Sequence, residues 1–153
     1  MFFLILSGCT LIPCEWDSDL DLVKSNPNVS ELVGTYYPDD KTKERIKGFT
    51  GSSKMTLTED NKFVFESFPE GAFDFDAYYQ KNINTVNGFG KWRPYFSKGT
   101  AELSVSVDYG KPNSNDKFNF GTSYRIYKKD GQFVIFIMVG DPDECSAVRL
   151  IQK

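Results

Sequence analysis

The sequence predicts an all-β protein, an eight-stranded antiparallel up-and-down barrel with a short helix after the first strand. Eight segments either alternate apolar and polar residues or run apolar throughout, and most links between them are short and rich in turn-forming residues. Aromatic residues make up 16% of the 153 residues, which favours strands. Strands joined by short turns are antiparallel, and closure of eight such strands removes exposed edges.

The first half of the barrel is bounded by clear turn signals. Pro38-Asp39-Asp40 ends the first strand, and the run KTKERIK at 41–47 predicts the short basic helix. Glu59-Asp60-Asn61 joins two strands as a hairpin, while Gly88 and Gly90 indicate a bend or a close approach of backbones. We predict the first four strands at 32–37, 54–58, 62–68 and 85–93.

The connection 69–84 is too long for a simple turn, so it predicts a lid or a short helix at one end of the barrel. Its aromatic side chains allow two interpretations. They form a mouth over an apolar cavity, or they fill the end of the barrel. The aromatic residues in question are Phe73, Phe75, Tyr78 and Tyr79.

The second half of the barrel contains one strand that is apolar on both faces. In 133–139, one face carries Phe133, Ile135, Ile137 and Val139, and the other carries Val134, Phe136 and Met138. A solvated barrel exterior is polar, so something must cover this strand. We expect the N-terminal segment to do so; the basic helix and a partner protein are the alternatives. We predict the last four strands at 101–108, 123–128, 133–139 and 147–152.

One short stretch at 6–9 is informative about processing. Leu6-Ser7-Gly8-Cys9 follows a short apolar run and resembles the lipobox of bacterial lipoproteins. The resemblance implies that residues 1–8 are the remnant of a signal peptide, that Cys9 is lipidated, and that 9–30 form a lipidated tether before a barrel domain at 31–153. It also implies an outer-membrane location, with the membrane as partner through the lipid and the barrel facing the periplasm or the cell surface.

The tether is acidic, with Glu15, Asp17, Asp19 and Asp21 before any basic residue. We interpret these residues as a solvated spacer. The alternative rests on a resemblance to the surface-export signal that follows the lipidated cysteine in lipoproteins of some Gram-negative groups.

Two short motifs resemble the Gly-x-Trp signature of lipocalins. Val33-Gly34-Thr35-Tyr36 carries tyrosine in place of tryptophan, and Gly90-Lys91-Trp92 repeats the pattern on a later strand. The span is similar to small lipocalin-like lipoproteins of Bacteroidetes-type bacteria, in which the aromatic ring plugs one barrel end. The candidate ligand contacts are therefore Tyr36, Phe73, Phe75, Tyr78, Tyr79 and Trp92.

Three cysteines are present, and lipidation of Cys9 leaves Cys14 and Cys145. In an oxidising compartment these two can join and close a loop of about 130 residues, which stabilises a fold by up to about 4–5 kcal/mol. The alternative is two unrelated thiols, one of them in the tether.

Several classes of function are excluded or disfavoured by composition. The chain has no histidine, which excludes histidine-dependent nucleophilic catalysis and histidine-bearing zinc sites. A net charge of −3 and a pI near 5.0 argue against a nucleic-acid partner. Asp141-Pro142-Asp143-Glu144 lacks the ligand spacing of a calcium loop and predicts a β-turn. We expect no enzyme, no cofactor and no metal.

Together these features predict a lipid-anchored, non-catalytic binding module of the cell envelope for a small apolar ligand. The alternative is an envelope interaction module, such as an inhibitor or immunity protein against a hydrolase or toxin. In that case, the acidic loop 69–76 would enter the partner's cleft.

Overall fold

The computed structural model describes residues 15–110, 115 and 117–153, without the side chain of Pro142. The helices in these ranges are α1 (Val29–Leu32), α2 (Asp40–Arg45) and α3 (Phe75–Tyr79), with 3-10 turns at Glu70–Ala72 and Pro142–Glu144. The strands are β1 (Asp21–Leu22), β2 (Gly34–Pro38), β3 (Lys54–Leu57), β4 (Lys62–Pro69), β5 (Thr85–Ser97), β6 (Thr100–Gly110), β7 (Lys117–Lys129), β8 (Gln132–Met138) and β9 (Ala147–Gln152).

Strands β2 to β9 form a closed barrel. Each pairs antiparallel with the next along the chain, and β9 returns to pair with β2, where Tyr36 lies opposite Gln152. This confirms the predicted all-β, eight-stranded antiparallel up-and-down barrel with a short helix after its first strand. The two-residue strand β1 lies outside this circuit and pairs with the end of β7.

The two ends of the barrel differ. One end, here called the lid end, carries α2, the 69–84 connection with α3, and the 139–146 turn between β8 and β9. The opposite end, the far end, carries short turns such as Asp130-Gly131 and the short helix α1. Among the described residues, the long connections lie at the lid end, and the far end is closed by short turns and α1.

Side chains from the inner faces of the strands pack the barrel interior. Each strand contributes alternate residues, as the pleat requires. The inward-facing buried residues are Tyr36, Met55, Leu57, Phe63, Phe65, Phe68, Val86, Trp92, Leu103, Val105, Val107, Tyr124, Ile126, Ile135, Ile137, Val148 and Leu150. An eight-stranded barrel is just wide enough to be filled in this way.

The glycines of β5 allow the strands to pack this closely. A Cβ atom at Gly90 would lie 1.8 Å from the carbonyl oxygen of Ser106 and 2.9 Å from the ring of Phe63. One at Gly88 would lie 2.1 Å from the ring of Phe65. The close approach predicted for these two positions is confirmed.

The N-terminal segment, residues 15–23, covers the outer face of β8. Trp16 packs with Tyr127, Val134 and Phe136 in a second apolar cluster on the outside of the barrel. Phe136 and Val134 are buried there, although their strand forms part of the barrel wall. The expectation that this segment covers the two-sided apolar strand is confirmed.

The expected solvation of the acidic residues is wrong for Asp19. Its carboxylate accepts two hydrogen bonds from Arg149, at 2.7 and 3.1 Å, and forms ion pairs with Lys129 at 2.8 Å and Lys41 at 3.1 Å. The reason is Arg149, which lies fully buried on the outer face of β9. A buried guanidinium needs counter-charges and acceptors, and the segment supplies them.

Further acceptors surround Arg149. Its Nη1 atom donates to the carbonyl oxygen of Trp16 at 2.8 Å, and its Nε atom lies 2.8 Å from Asp39 Oδ2 as an ion pair. Thr42 of α2 accepts a hydrogen bond from the Arg149 backbone N–H at 2.8 Å. The arginine therefore joins the N-terminal segment, α2 and the barrel wall.

Cys145 lies in the 139–146 turn, beside the second apolar cluster, and is disulfide-bonded. Cys9 and Cys14 lie outside the described residues, as do the lipobox and the signal-peptide remnant. Lipidation of Cys9 and pairing of Cys14 with Cys145 remain predictions.

Candidate binding site at the lid end

The 69–84 connection folds into a lid that is fixed by its own polar groups. Asp74 begins α3 by accepting a hydrogen bond from the backbone N–H of Ala77 at 2.9 Å. Glu70 is buried and accepts a hydrogen bond from the Asn82 amide at 3.1 Å. The acidic residues of this loop are thus largely occupied within the lid, with Asp76 exposed.

The lid contacts the turn between β8 and β9. The hydroxyl of Tyr78 donates to Ser146 Oγ at 2.8 Å, and the backbone N–H of Asp141 donates to the Tyr79 hydroxyl at 3.0 Å. Gly140 has φ +66, and a Cβ atom there would lie 2.4 Å from the Tyr78 ring. Glycine at this position therefore allows both the left-handed backbone conformation and the close approach of the Tyr78 ring.

Phe73 fills the barrel beneath the lid. Its ring centroid lies 4.5 Å from that of Phe65, 5.7 Å from Phe68 and 5.9 Å from Tyr109. Of the two interpretations of the aromatic connection, Phe73 supports filling of the barrel end. In this conformation its ring occupies the route between the lid end and the interior.

Replacing Phe73 with alanine should open this route. We expect a loss of about 2 kcal/mol in the free energy of unfolding, below the 3–5 kcal/mol of a fully buried ring because Phe73 is only half-buried. We also expect stronger binding of an apolar dye, because the vacated space is lined by aromatic rings. Urea unfolding and dye titration measure the two effects.

The matched control is Phe75→Ala in the same lid. Because Phe75 is exposed, its loss should change the free energy of unfolding by less than about 0.5 kcal/mol. Equal destabilisation by the two substitutions would contradict the assignment of Phe73 as the filling ring.

Tyr36 and Trp92 lie away from the lid. Tyr36 is fully buried and its hydroxyl donates to the carbonyl oxygen of Leu32 at 2.6 Å. Burial raises the pKa of this phenol. Trp92 is also buried, and its Nε1 donates to the carbonyl oxygen of Lys62 at 2.9 Å. Both rings pack into the core toward the far end, so the structure does not bring them together with the lid aromatics.

A groove of about 350 Å³, here called the mouth groove, lies outside the lid between α3 and the end of α2. Its apolar surface comes from Ile46, Pro69, Gly71, Tyr78 and Tyr79. Its polar rim comes from Arg45, Lys47, Lys81, Asn82 and Glu144. Within the described part of the chain, Lys47 and Lys81 have no ion-pair partner. The groove therefore combines an apolar floor with a partly cationic rim.

Exposed apolar side chains stand close to the groove. Phe75 is 59% exposed, Tyr79 42% and Ile83 64%, and the rings of Phe75 and Tyr79 lie 4.6 Å apart. Partial removal from water raises the pKa of the Tyr79 phenol. Exposed aromatic rings beside a concave surface are typical of a binding site.

Of the six predicted ligand contacts, Phe73, Phe75, Tyr78 and Tyr79 come together at the lid. Sequence reasoning missed the contribution of Arg45, Ile46 and Lys47 to the groove. The only sequence signal for these residues was the basic run at 41–47. That run predicted a helix, but nothing in it indicated that the end of the helix lies beside the lid.

The described residues contain no group of histidine, cysteine and carboxylate side chains that could hold a metal ion. None of the helices in those residues has the length and apolar character to cross a membrane. Comparison of the chain with family models, curated proteins and solved structures returned no match.

Proposed function

We propose that this chain is a lipid-anchored envelope lipoprotein of the lipocalin-like kind, and that its barrel is a non-catalytic binding module for a small apolar ligand. The mouth groove is the observation that carries the proposal. It offers about 350 Å³ of partly apolar space, within the range that small-molecule sites occupy. The barrel interior is packed with side chains, so the groove rather than the interior is the proposed site.

The architecture supports a binding role because the groove has a rigid frame. Its floor residue Tyr78 is held by Ser146, and Tyr79 is held by the backbone of Asp141. A preformed wall binds more tightly than a mobile one because less conformational entropy is lost on binding. The absence of histidine from the sequence fits a non-catalytic role.

Removing the Tyr79 ring should weaken binding at the mouth groove. We expect Tyr79→Ala to lower the affinity for the neutral apolar dye N-phenyl-1-naphthylamine about tenfold, since one aromatic wall is worth up to about 1.5 kcal/mol. Tyr79→Phe keeps the ring and should keep most of the affinity. Fluorescence titration of the dye measures both.

The matched control is Phe89→Ala, which removes an exposed ring from the barrel wall, where Phe89 is paired with Val64 across β4 and β5. Its dye affinity should equal that of the unchanged protein. Equal affinity in Tyr79→Ala and the unchanged protein would remove the mouth groove as the site.

The lipid anchor has its own test. Metabolic labelling with an alkyne palmitate should tag the unchanged chain and not Cys9→Ala. Equal labelling of both would refute the lipid anchor at Cys9 and would leave the proposal for the mouth groove unaffected.

A further inference from the structure

We infer that the lid end is a membrane-facing surface, on which the rings of Phe75 and Tyr79 and the side chain of Ile83 rest on the lipid headgroup region. The inference rests on the proposed lipid anchor at Cys9. It adds which face of the barrel meets the bilayer, and it follows from where the N-terminal segment joins the barrel.

The first described residues of the N-terminal segment lie on the outer wall of β8 and reach toward the lid end. The ring of Trp16 lies 4.7 Å beneath the Arg45 guanidinium, which itself lines the mouth groove. Trp16 also belongs to the cluster that includes Cys145 of the 139–146 turn. From there the segment runs along the outer wall, and Asp21 and Leu22 pair with the end of β7 near the far end.

The chain between the anchor and the barrel is short. From Cys9 to Glu15 there are six Cα–Cα steps, which span at most about 20 Å. The 13 residues of β5 rise roughly 40 Å along the strand, or about 30 Å along the axis of a barrel with ordinary strand tilt. An anchored barrel therefore keeps its lid end nearer the bilayer than its far end.

The side chains at the lid end fit that position. Phe75, Tyr79 and Ile83 are exposed within the 69–84 connection, and Met138 is exposed where β8 reaches the lid end. The other large exposed apolar residues are spread over the wall and the far end. A tyrosine ring with its polar tip, as in Tyr79, favours the membrane interface. Phenylalanine and aliphatic side chains are typical of the apolar face that an interfacial segment buries by about 5–10 Å. Lys47 and Lys81 lie beside them and suit lipid phosphates.

The lid end also carries acidic residues, in the 139–146 turn. Asp141, Asp143 and Glu144 also lie at the lid end, so the surface carries both signs of charge. The inference rests on the exposed apolar side chains and on the short chain between Cys9 and Glu15, and not on the net charge of this surface. In this orientation the mouth groove opens close to the bilayer, from which an apolar ligand can reach it.

Tryptophan placed on the two candidate faces tests the orientation. The full lipidated chain is reconstituted into vesicles of phosphatidylethanolamine and phosphatidylglycerol, with and without lipids brominated on the acyl chains. In Phe75→Trp we expect the added emission to shift to the blue and to lose about half of its intensity to the brominated lipids, as for a ring at interfacial depth. Subtracting the emission of the unchanged chain removes Trp16 and Trp92.

The matched variant is Phe89→Trp, on the barrel wall, where the native ring is 63% exposed. Its added emission should stay that of a tryptophan in water and should not be quenched. Both positions are exposed, so folding should be unaffected, and circular dichroism verifies this.

Three outcomes overturn the inference. Quenching of Phe89→Trp but not Phe75→Trp would place the wall on the bilayer. Equal quenching of both would show no preferred face. Quenching of neither in a chain that carries lipid would leave the lid free for a protein partner. A chain that is not labelled at Cys9 would instead refute the proposed anchor, so the two failures are distinguishable.

Discussion

Asp19→Asn should destabilise the barrel by about 3 kcal/mol, because it leaves the buried Arg149 guanidinium without its main counter-charge. Breaking a buried ion pair from one side costs about 3–5 kcal/mol. The lower end applies because Asp39 and the carbonyl oxygen of Trp16 still contact the arginine. Urea denaturation measures the difference in the free energy of unfolding.

Asp21→Asn is the matched control, since Asp21 lies two residues away, is exposed, and has no ion pair within the described ranges. It should change stability by less than about 0.5 kcal/mol. The double variant Asp19→Asn, Arg149→Met should be more stable than Asp19→Asn alone, because the uncompensated charge is gone. If the double variant is the less stable of the two, the charge is not the cause.

The same contact makes stability depend on pH. Hydrogen bonding to Arg149 is the main cause that holds the pKa of the Asp19 carboxyl well below its ordinary value of 3.8. The unfolded chain therefore takes up a proton near pH 4 where the folded one does not. The contribution of the Asp19 carboxylate to the free energy of unfolding is therefore present above that pH and is lost as the pH falls below it. Between about pH 5 and about pH 3, the unchanged protein should lose more stability than Asp19→Asn.

Gly90→Ala should destabilise the barrel by about 3 kcal/mol or more. The new Cβ atom would lie 1.8 Å from the Ser106 carbonyl oxygen, so β5 and β6 have to separate. Because the obstacle is backbone in a paired strand, no rotamer change relieves the clash, and the effect lies at the upper end of overpacking costs. Thermal and urea unfolding measure it.

Gly121→Ala is the matched control on β7. A Cβ atom there meets only the Val105 carbonyl oxygen, at 3.8 Å, which is ordinary contact. This substitution should be neutral or stabilise by up to about 1 kcal/mol, because alanine restricts the unfolded chain. Equal loss in the two variants would show that glycine is needed for flexibility rather than for close approach.

Much of the barrel could be predicted because its signals are local. Alternation marks 101–108, and the structure extends this strand only to Thr100–Gly110. The largest difference is β7, predicted at 123–128 and observed at Lys117–Lys129. Its first half contains Asn119 and Gly121, whose weak strand propensity is overridden by pairing along the full length of β6.

The sequence predicted that the N-terminal segment covers β8, but it did not predict the ion pair between Asp19 and Arg149. Apolar residues on both faces of a barrel strand require a cover, and that requirement is visible in the sequence. Arg149 is also visible, as one charge among the apolar residues of β9. Which of Asp17, Asp19 and Asp21 approaches it depends on how the segment crosses the wall, and three alternating acids give no preference.

The orientation of the side chains in the candidate site depends on how the 69–84 connection folds over the barrel, which the spacing of its residues does not fix. The lid aromatics were recognised from their density in one connection. Phe73, the filling ring, lies between the 3-10 turn and the five-residue helix α3, whereas the exposed rings of Phe75 and Tyr79 lie within α3. The division of the rings therefore follows from how the chain turns at 73–75. No periodicity of the sequence fixes that turn, so the interior and the groove could not be told apart in advance.

The contact between Asp19 and Arg149 joins residues 130 positions apart, and β2 likewise finds one of its two neighbours only in β9. A growing polypeptide thus cannot complete the contacts of residues 15–23 or of β2 until β9 has been synthesised. Such long-range pairings slow folding. Premature termination before β9 would therefore also release residues 15–23 from the barrel wall, and leave the apolar outer face of β8 exposed and prone to aggregation.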